Sequence, residues 1–346
     1  MVKIKKGDES MHKIDLEKYE IRTDMAIDLT EKDKKTYKPQ TYNKNGVKVS
    51  WIKLEENNDI GKKPGNYLTL EFDDVTDDDA KKNVSKVFKE ELYNMLLKSG
   101  FNKKTKTLVI GLGNPKSTPD ALGPLVSEKI LVTKHFFDMG LSVEDKFSCV
   151  SAFYPGVTGT TGIETSDLIS GVKNISNPDL IIVIDALASS SISRVNKSIQ
   201  VSDAGISPGS GIGNKRKEIS KETLKTPVIA IGVPTVTSAS VIVSDTINYM
   251  LKNYAYNKKI LNSKALKLVS KPINYLNKDV NASNDDKKTF LGLVGLLSKE
   301  ELTSLTYEVL TPIGYNLMVT PKEVDFIIEK LSDVISYGIN NSLHEI

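Results

Sequence analysis

The chain has 346 residues, 39% of them hydrophobic, which is enough for one large core or two modest ones. Its 47 Lys and Arg nearly balance 44 Asp and Glu, and a net charge of +3 spread over this length is no footprint for nucleic acid, which needs clustered cations. A single cysteine, Cys149, excludes an intrachain disulfide and fits a reducing cytoplasm, and three scattered histidines, His12, His135 and His344, leave little for a histidine zinc site or a Ser-His-Asp triad.

The first 30 or so residues are charged and weakly periodic, as expected of a mobile arm. Their basic residues precede no apolar run, so they do not form a signal peptide. No segment of the chain approaches the roughly 18 apolar residues of a spanning helix, so no membrane partner is expected. The sequence predicts a soluble, intracellular protein.

Two alternating runs, 47–54 and 67–72, predict strands. A helix follows, with Val84, Phe88, Leu92 and Leu96 on one face, acidic residues at its start and Gly100 at its end. From Thr107 onward come short apolar runs ending in Gly, Pro, Asp or Asn: TLVIGLGN, FSCVSAF, LIIVIDAL, SIQVSDAG and TPVIAIGVPT. Helix-compatible segments separate several of them. This alternation predicts an α/β fold with a mostly parallel sheet covered by helices on both faces. Residues 258–288, rich in Lys, Asn and Asp, predict a surface excursion with some helix. Capping-box patterns at Ser298–Glu301 and Thr320–Glu323 predict two C-terminal helices. The part after the arm is treated as one domain.

In parallel sheets chemistry sits beyond the carboxyl ends of the strands. One strand ends in GLGNPKSTPDALGP (111–124), where a Pro-rich turn presents Asp120. Its GLGNP resembles peptidyl-tRNA hydrolases, which work with a histidine that this region lacks, and Pro115 breaks the likeness to a phosphate loop. A capping aspartate in a Gly-rich turn explains it equally well. A second strand, PDLIIVIDALAS (178–189), stops its apolar run at Asp185. Two aspartates at separate strand ends, each followed by Ala-Leu, can converge on one crevice. Close carboxyls do not both ionise easily, so one can donate a proton while the other activates water. That is equipment for peptide hydrolysis without serine, cysteine or histidine.

Three Gly-rich segments, 154–165, 203–219 and 231–239, follow core strands and are expected to border the same crevice. With the GLGN strand end they supply the cleft candidates Gly113, Asn114, Gly159, Glu164, Asp203, Gly209, Lys215 and Arg216. A solvated role is the plainer reading of each charged one. Cys149, inside an apolar run, reads as an inert buried thiol.

EKYEIRTDMA, GLGNPKSTPDALGP, PGVTGTTGIET, LIIVIDALAS, DAGISPGSGIGNKRKEI, GVPTVTSA and LMVTPKEVD occur in this order. Together they resemble the germination protease, or spore endopeptidase, family of spore-forming bacteria, from about Asp15 to Ile335. The resemblance implies a homotetrameric, self-processing endopeptidase of the spore core, made as a zymogen, that degrades small acid-soluble spore proteins at germination. It implies Asp120 and Asp185 as the catalytic pair, no cofactor, and a phosphorylase/hydrolase-like fold related to hydrogenase maturation proteases. It also implies removal of residues 1–24 as a propeptide by cleavage between Asp24 and Met25, after an acidic and before an apolar residue. TDMA stands here where TDLA is the expected pattern, and Tyr154 and Thr158 depart from it in the first Gly-rich loop. Two other functions compete: a metal-dependent maturation-type peptidase using the same aspartates, and a non-catalytic protein holding a peptide or nucleotide in the crevice.

Overall fold

A computed structural model of the chain describes residues 23–30, 37–209, 217–261, 280–310 and 317–346. The described residues divide into two compact units, one from the ranges 23–238 and 318–346, the other from the range 239–317.

In chain order the described residues begin with α1 (Ala26–Thr30) and the strands β1 (Gln40–Lys44), β2 (Val47–Leu54) and β3 (Gly65–Glu71). Then come α2 (Asp78–Lys98), β4 (Thr107–Gly111), α3 (Leu122–Glu128), α4 (Lys134–Asp138) and β5 (Val150–Phe153). The short α5 (Thr158–Thr161), α6 (Thr165–Ser176), β6 (Leu180–Ser189), β7 (Ser198–Ser202), α7 (Lys221–Leu224) and β8 (Val228–Ser238) complete the first stretch of the larger unit. The smaller unit holds α8 (Ala239–Leu261), α9 (Asn284–Leu291) and α10 (Lys299–Leu310), and β9 (Met318–Val319) and α11 (Val324–Leu343) return to the larger one.

One sheet runs β1-β2-β3-β7-β8-β6-β4-β5, with β9 paired to β8. Strands β5, β4, β6 and β8, four of the five apolar runs, are parallel, and the fifth run, SIQVSDAG, is β7, antiparallel to both of its neighbours. The two alternating runs join the same sheet as an antiparallel wing, β3 pairing with β7 and β7 with β8. Alternate residues feed opposite faces. Val109, Ile182 and Ile184 pack with α2, α3 and α11, whereas Leu108, Ile110, Ile181 and Val183 pack with Ile169 of α6 and Leu224 of α7. On the wing, Val49 joins the first cluster, while Ile52 and Leu54 join a third cluster with Met25, Ala26 and Ile27. The segment ahead of β1 thus covers one face of the wing.

Helix α2 is capped as its sequence dictates: Asp77 accepts from the Ala80 amide at 2.8 Å, and Gly100 has φ +88° just past the end. Of the two expected capping boxes, Ser298 and Glu301 form theirs reciprocally. Thr320 does not; its hydroxyl donates to the Thr235 carbonyl at 2.8 Å, which ties β9 to β8, and α11 starts later, at Val324. The 258–288 excursion is helical at both ends, in α8 and α9, and its residues 262–279 lie outside the described ones.

Candidate active site

The β4 end is built on missing side chains. A Cβ at Gly111 would stand 2.0 Å from the Gly123 carbonyl, so strand and α3 approach as only glycine permits. Gly113, at φ +117°, would place a Cβ 2.0 Å from the Asp120 carbonyl. The loop therefore closes on itself. The Asn114 amide donates to both the carbonyl (3.0 Å) and Oδ2 (2.9 Å) of Asp120, and the Asp120 amide donates to the Ser117 carbonyl at 2.8 Å. Asp120 is thereby fixed, half-buried, in a one-turn 3-10 segment whose proline precedes it.

Asp185 continues the wholly buried Ile181–Ile184 run of β6 and is itself only 7% exposed. Its Oδ1 accepts from the Ala186 amide at 3.0 Å. Strand β4 ends opposite Ile184, so beyond that point β6 has lost its neighbour on this side. Asp120 and Asp185 line one cavity of about 400 Å³ together with Gly113, Gly156, Gly209 and Asp24.

The uncovered β6 edge carries part of the N-terminal segment. Asp24 donates its amide to the Ala188 carbonyl (3.0 Å), and its Oδ2 accepts from the Ala188 amide (2.9 Å). Met25 and Ala26 are wholly buried, Met25 among Ile52, Leu54, Tyr67 and Leu187. The Asp24 carbonyl accepts from Lys62 Nζ and from Gln200 Nε2, both at 3.2 Å, and Gln200 Oε1 accepts from the Ala26 amide at 2.7 Å. Burial pushes the Lys62 ammonium below its ordinary pKa, against the pull of Asp24 and Asp28. Further along, Asp28 is 4% exposed and pairs with Arg194 at 2.7 Å while accepting from Ser189, Ser190 and Thr23.

Of the cleft candidates read from sequence, Gly113 and Gly209 line the cavity. Asn114 lies one step behind it, holding Asp120. Gly159 sits exposed in α5 with open space around its Cα, and Glu164 precedes α6, taking the Thr158 hydroxyl at 3.4 Å. Asp203 turns to the wing, where its oxygens accept from the Asn66 amide (2.7 Å) and Asn66 Nδ2 (2.6 Å). These three are not among the residues lining the cavity, although their segments reach it through Gly156, Val157, Thr165, Pro208 and Gly209. Lys215 and Arg216 lie outside the described residues. Burial raises the Cys149 thiol pKa, which suits an inert role. Lys62 and Gln200 were not read from sequence. A glutamine inside the apolar run of β7 was a signal; a lysine in a charged loop was none.

A family model described as germination protease matches residues 15–346. The chain belongs to the germination protease family. Curated germination proteases from Bacillus cereus and Bacillus licheniformis are each 46% identical to it, covering 96% of this chain and 95% and 96% of their own. One from a Geobacillus species is 45% identical over 96% of both chains. A solved structure, the NiFe hydrogenase maturation protease HycI of Thermococcus kodakarensis, is similar over 42% of this chain and 80% of its own, with 17% identity and a TM-score of 0.27. Membership of the germination protease family makes the chain a peptidase, and the non-catalytic reading is not favoured.

Proposed function

We propose that this peptidase is made as a zymogen, cuts its own Asp24–Met25 bond with Asp120 and Asp185 as the catalytic pair, and then initiates degradation of small acid-soluble spore proteins during germination. Residues 1–24 are the propeptide and 25–346 the mature chain, assembled as a homotetramer in the spore core. The observation that carries this is the placement of Asp24 on the β6 edge, in the same cavity as both aspartates. Backbone pairing to a strand edge is how proteases and other peptide binders hold an extended chain.

The chemistry needs only water. The ionised carboxyl of the pair takes a proton from water as its oxygen attacks the Asp24 carbonyl carbon, and the protonated carboxyl delivers a proton to the Met25 nitrogen as the C–N bond breaks. The docking supports the specificity. The acidic side chain is taken by the Ala188 amide, and the next residue fills an apolar pocket. The one after that has no exposed surface at all, which favours alanine.

The direct trial is to incubate the processed chain with small acid-soluble spore proteins and map the cuts by mass spectrometry. Cleavage after an acidic and before an apolar residue is expected, and intact substrates would refute the proposal. Exhaustive chelation should leave the rate unchanged; complete loss restored by one divalent metal would favour the metal-dependent peptidase.

A further inference from the structure

We propose that Lys62 and Gln200 form the site that receives the scissile carbonyl oxygen and stabilises the oxyanion that develops on it, making both of them catalytic residues alongside the aspartate pair. The inference rests on the reading that Asp24–Met25 is the bond cut.

Two donors meet at one backbone oxygen. Lys62 Nζ and Gln200 Nε2 each stand 3.2 Å from the Asp24 carbonyl oxygen. They approach from different elements, Lys62 from the loop between β2 and β3 and Gln200 from β7. Gln200 is 8% exposed and Lys62 is half-buried. Each holds further backbone of the same segment. Lys62 also donates to the Thr23 carbonyl at 3.3 Å, and Gln200 accepts from the Ala26 amide at 2.7 Å. The Gln200 amide therefore grips the chain on both sides of the Asp24–Met25 bond and fixes the plane of the peptide between. A glutamine in the middle of a buried strand is costly unless its polar atoms are used, and here both are.

When water adds to the Asp24 carbon, the carbonyl π electrons move onto the oxygen, which gains negative charge. Its two hydrogen bonds, one of them from a cation, strengthen at that moment. When the C–N bond breaks the electrons return and the carbonyl is restored. Donors held in advance around a developing oxyanion lower the barrier without reorganising, and loss of one such donor typically slows turnover about 10²–10³-fold. A group that merely held the segment would change docking instead.

The experiment follows self-cleavage of the full-length chain as a first-order rate, with the new N-terminus identified by mass spectrometry. Lys62→Met keeps the length of the side chain and removes the donor. Gln200→Glu keeps the acceptor for the Ala26 amide and removes the donor to the carbonyl. Each is expected to slow cleavage about 10²-fold, and Lys62→Arg is expected to restore part of the rate. Docking is read separately by hydrogen exchange at the amides of Met25 and Ala26 in an Asp185→Asn background. Protection there should fall by no more than about tenfold for Lys62→Met and Gln200→Glu, the worth of one ordinary hydrogen bond, against the much larger loss of rate. A near-normal cleavage rate in both variants, with the wild-type chain cut at Asp24–Met25, overturns the oxyanion role and leaves the processing site standing. Slow cleavage with lost protection also overturns it, in favour of mere anchoring. A wild-type chain cut elsewhere removes both this inference and the reading beneath it. If Lys62→Met does not fold, Gln200→Glu decides.

Discussion

Thr23–Asp24 and Met25–Thr30 lie on either side of one peptide bond, and they are held by different forces. Upstream, Asp24 is held by hydrogen bonds, its amide and carboxylate to Ala188 and its carbonyl to Lys62 and Gln200. Such bonds contribute roughly 0.5–1.5 kcal/mol each. Downstream, Met25 and Ile27 are buried in an apolar cluster, and burial of each such side chain contributes about 1.5–3 kcal/mol. Asp28 adds a buried ion pair to Arg194 with further hydroxyl and amide donors around it. The upstream side is built like a bound ligand and the downstream side like part of the core. A cut between them would release the first and leave the second in place, covering the wing. Met25 would then have to leave its pocket for a substrate's apolar residue to take its place, while the Asp28–Arg194 pair keeps the rest of the segment on the wing.

That contrast can be broken in several places. The largest effect belongs to the carboxylates: Asp120→Asn or Asp185→Asn should abolish self-processing and substrate cleavage, by at least about 10³-fold. Both variants should still fold and still protect the Met25–Ile27 amides from exchange. A variant with near-normal turnover would remove that residue from the mechanism.

Next comes the downstream anchor. Arg194→Met leaves the Asp28 carboxylate buried without its cation, and breaking a buried pair from one side costs about 3–5 kcal/mol. Chemical denaturation should show that loss in the full chain. A cost under about 1 kcal/mol would place Met25–Thr30 outside the core and erase the contrast.

Upstream, Asp24→Ala should cost less in stability than Arg194→Met, because it removes polar contacts beside an open cavity and not the cation of a buried ion pair. Its cleavage rate should nevertheless fall about 10²-fold, since the Ala188 amide then meets no acceptor from the side chain. A stability loss equal to that of Arg194→Met would make the two sides alike.

The smallest effect concerns pH and serves as a control remote from the bond. His344 is 2% exposed; its Nδ1 accepts from the Ser148 amide at 3.1 Å, and its Nε2 lies 3.1 Å from the Leu131 carbonyl. Burial depresses its pKa below 6.5, so the folded chain binds fewer protons here than the unfolded one. This contribution is complete above the unfolded value and is lost as pH falls from there through the folded value. Between pH 7.5 and 5.5 the melting temperature should drop more in wild type than in His344→Phe, by about 1–3 °C. Equal slopes would remove His344 from the pH dependence.

Much of the sheet was legible because a buried parallel strand must be apolar throughout and must stop at a polar residue. The runs ending in Gly111 and Asp185 satisfy that condition, and so their strand-end residues stood out. The antiparallel wing was read as two strands but not as part of this sheet, since β3 meets β7 across more than a hundred residues and local pattern carries no trace of that pairing. Asp203 and Glu164 were expected at the crevice because each follows a core strand, yet strand-end position does not say which residue of a loop faces the cavity, and Gly156, Val157, Thr165 and Gly209 line it. Asp203 is drawn to the Asn66 amide instead. Lys62 was illegible for a different reason: in a loop rich in Lys, Glu and Asn its charge looks solvated, and only the path of a segment nearly forty residues earlier gives it a partner.

The proposed self-cleavage falls at Asp24–Met25, in the cavity that Asp24 lines together with Asp120 and Asp185. Intact mass and N-terminal sequencing of the chain before and after activation test it most directly. Loss of residues 1–24 and a mature form that begins at Met25 are expected, with activity appearing in step with the cut. A mature chain starting well away from Met25, or full activity from an uncut chain, would contradict it.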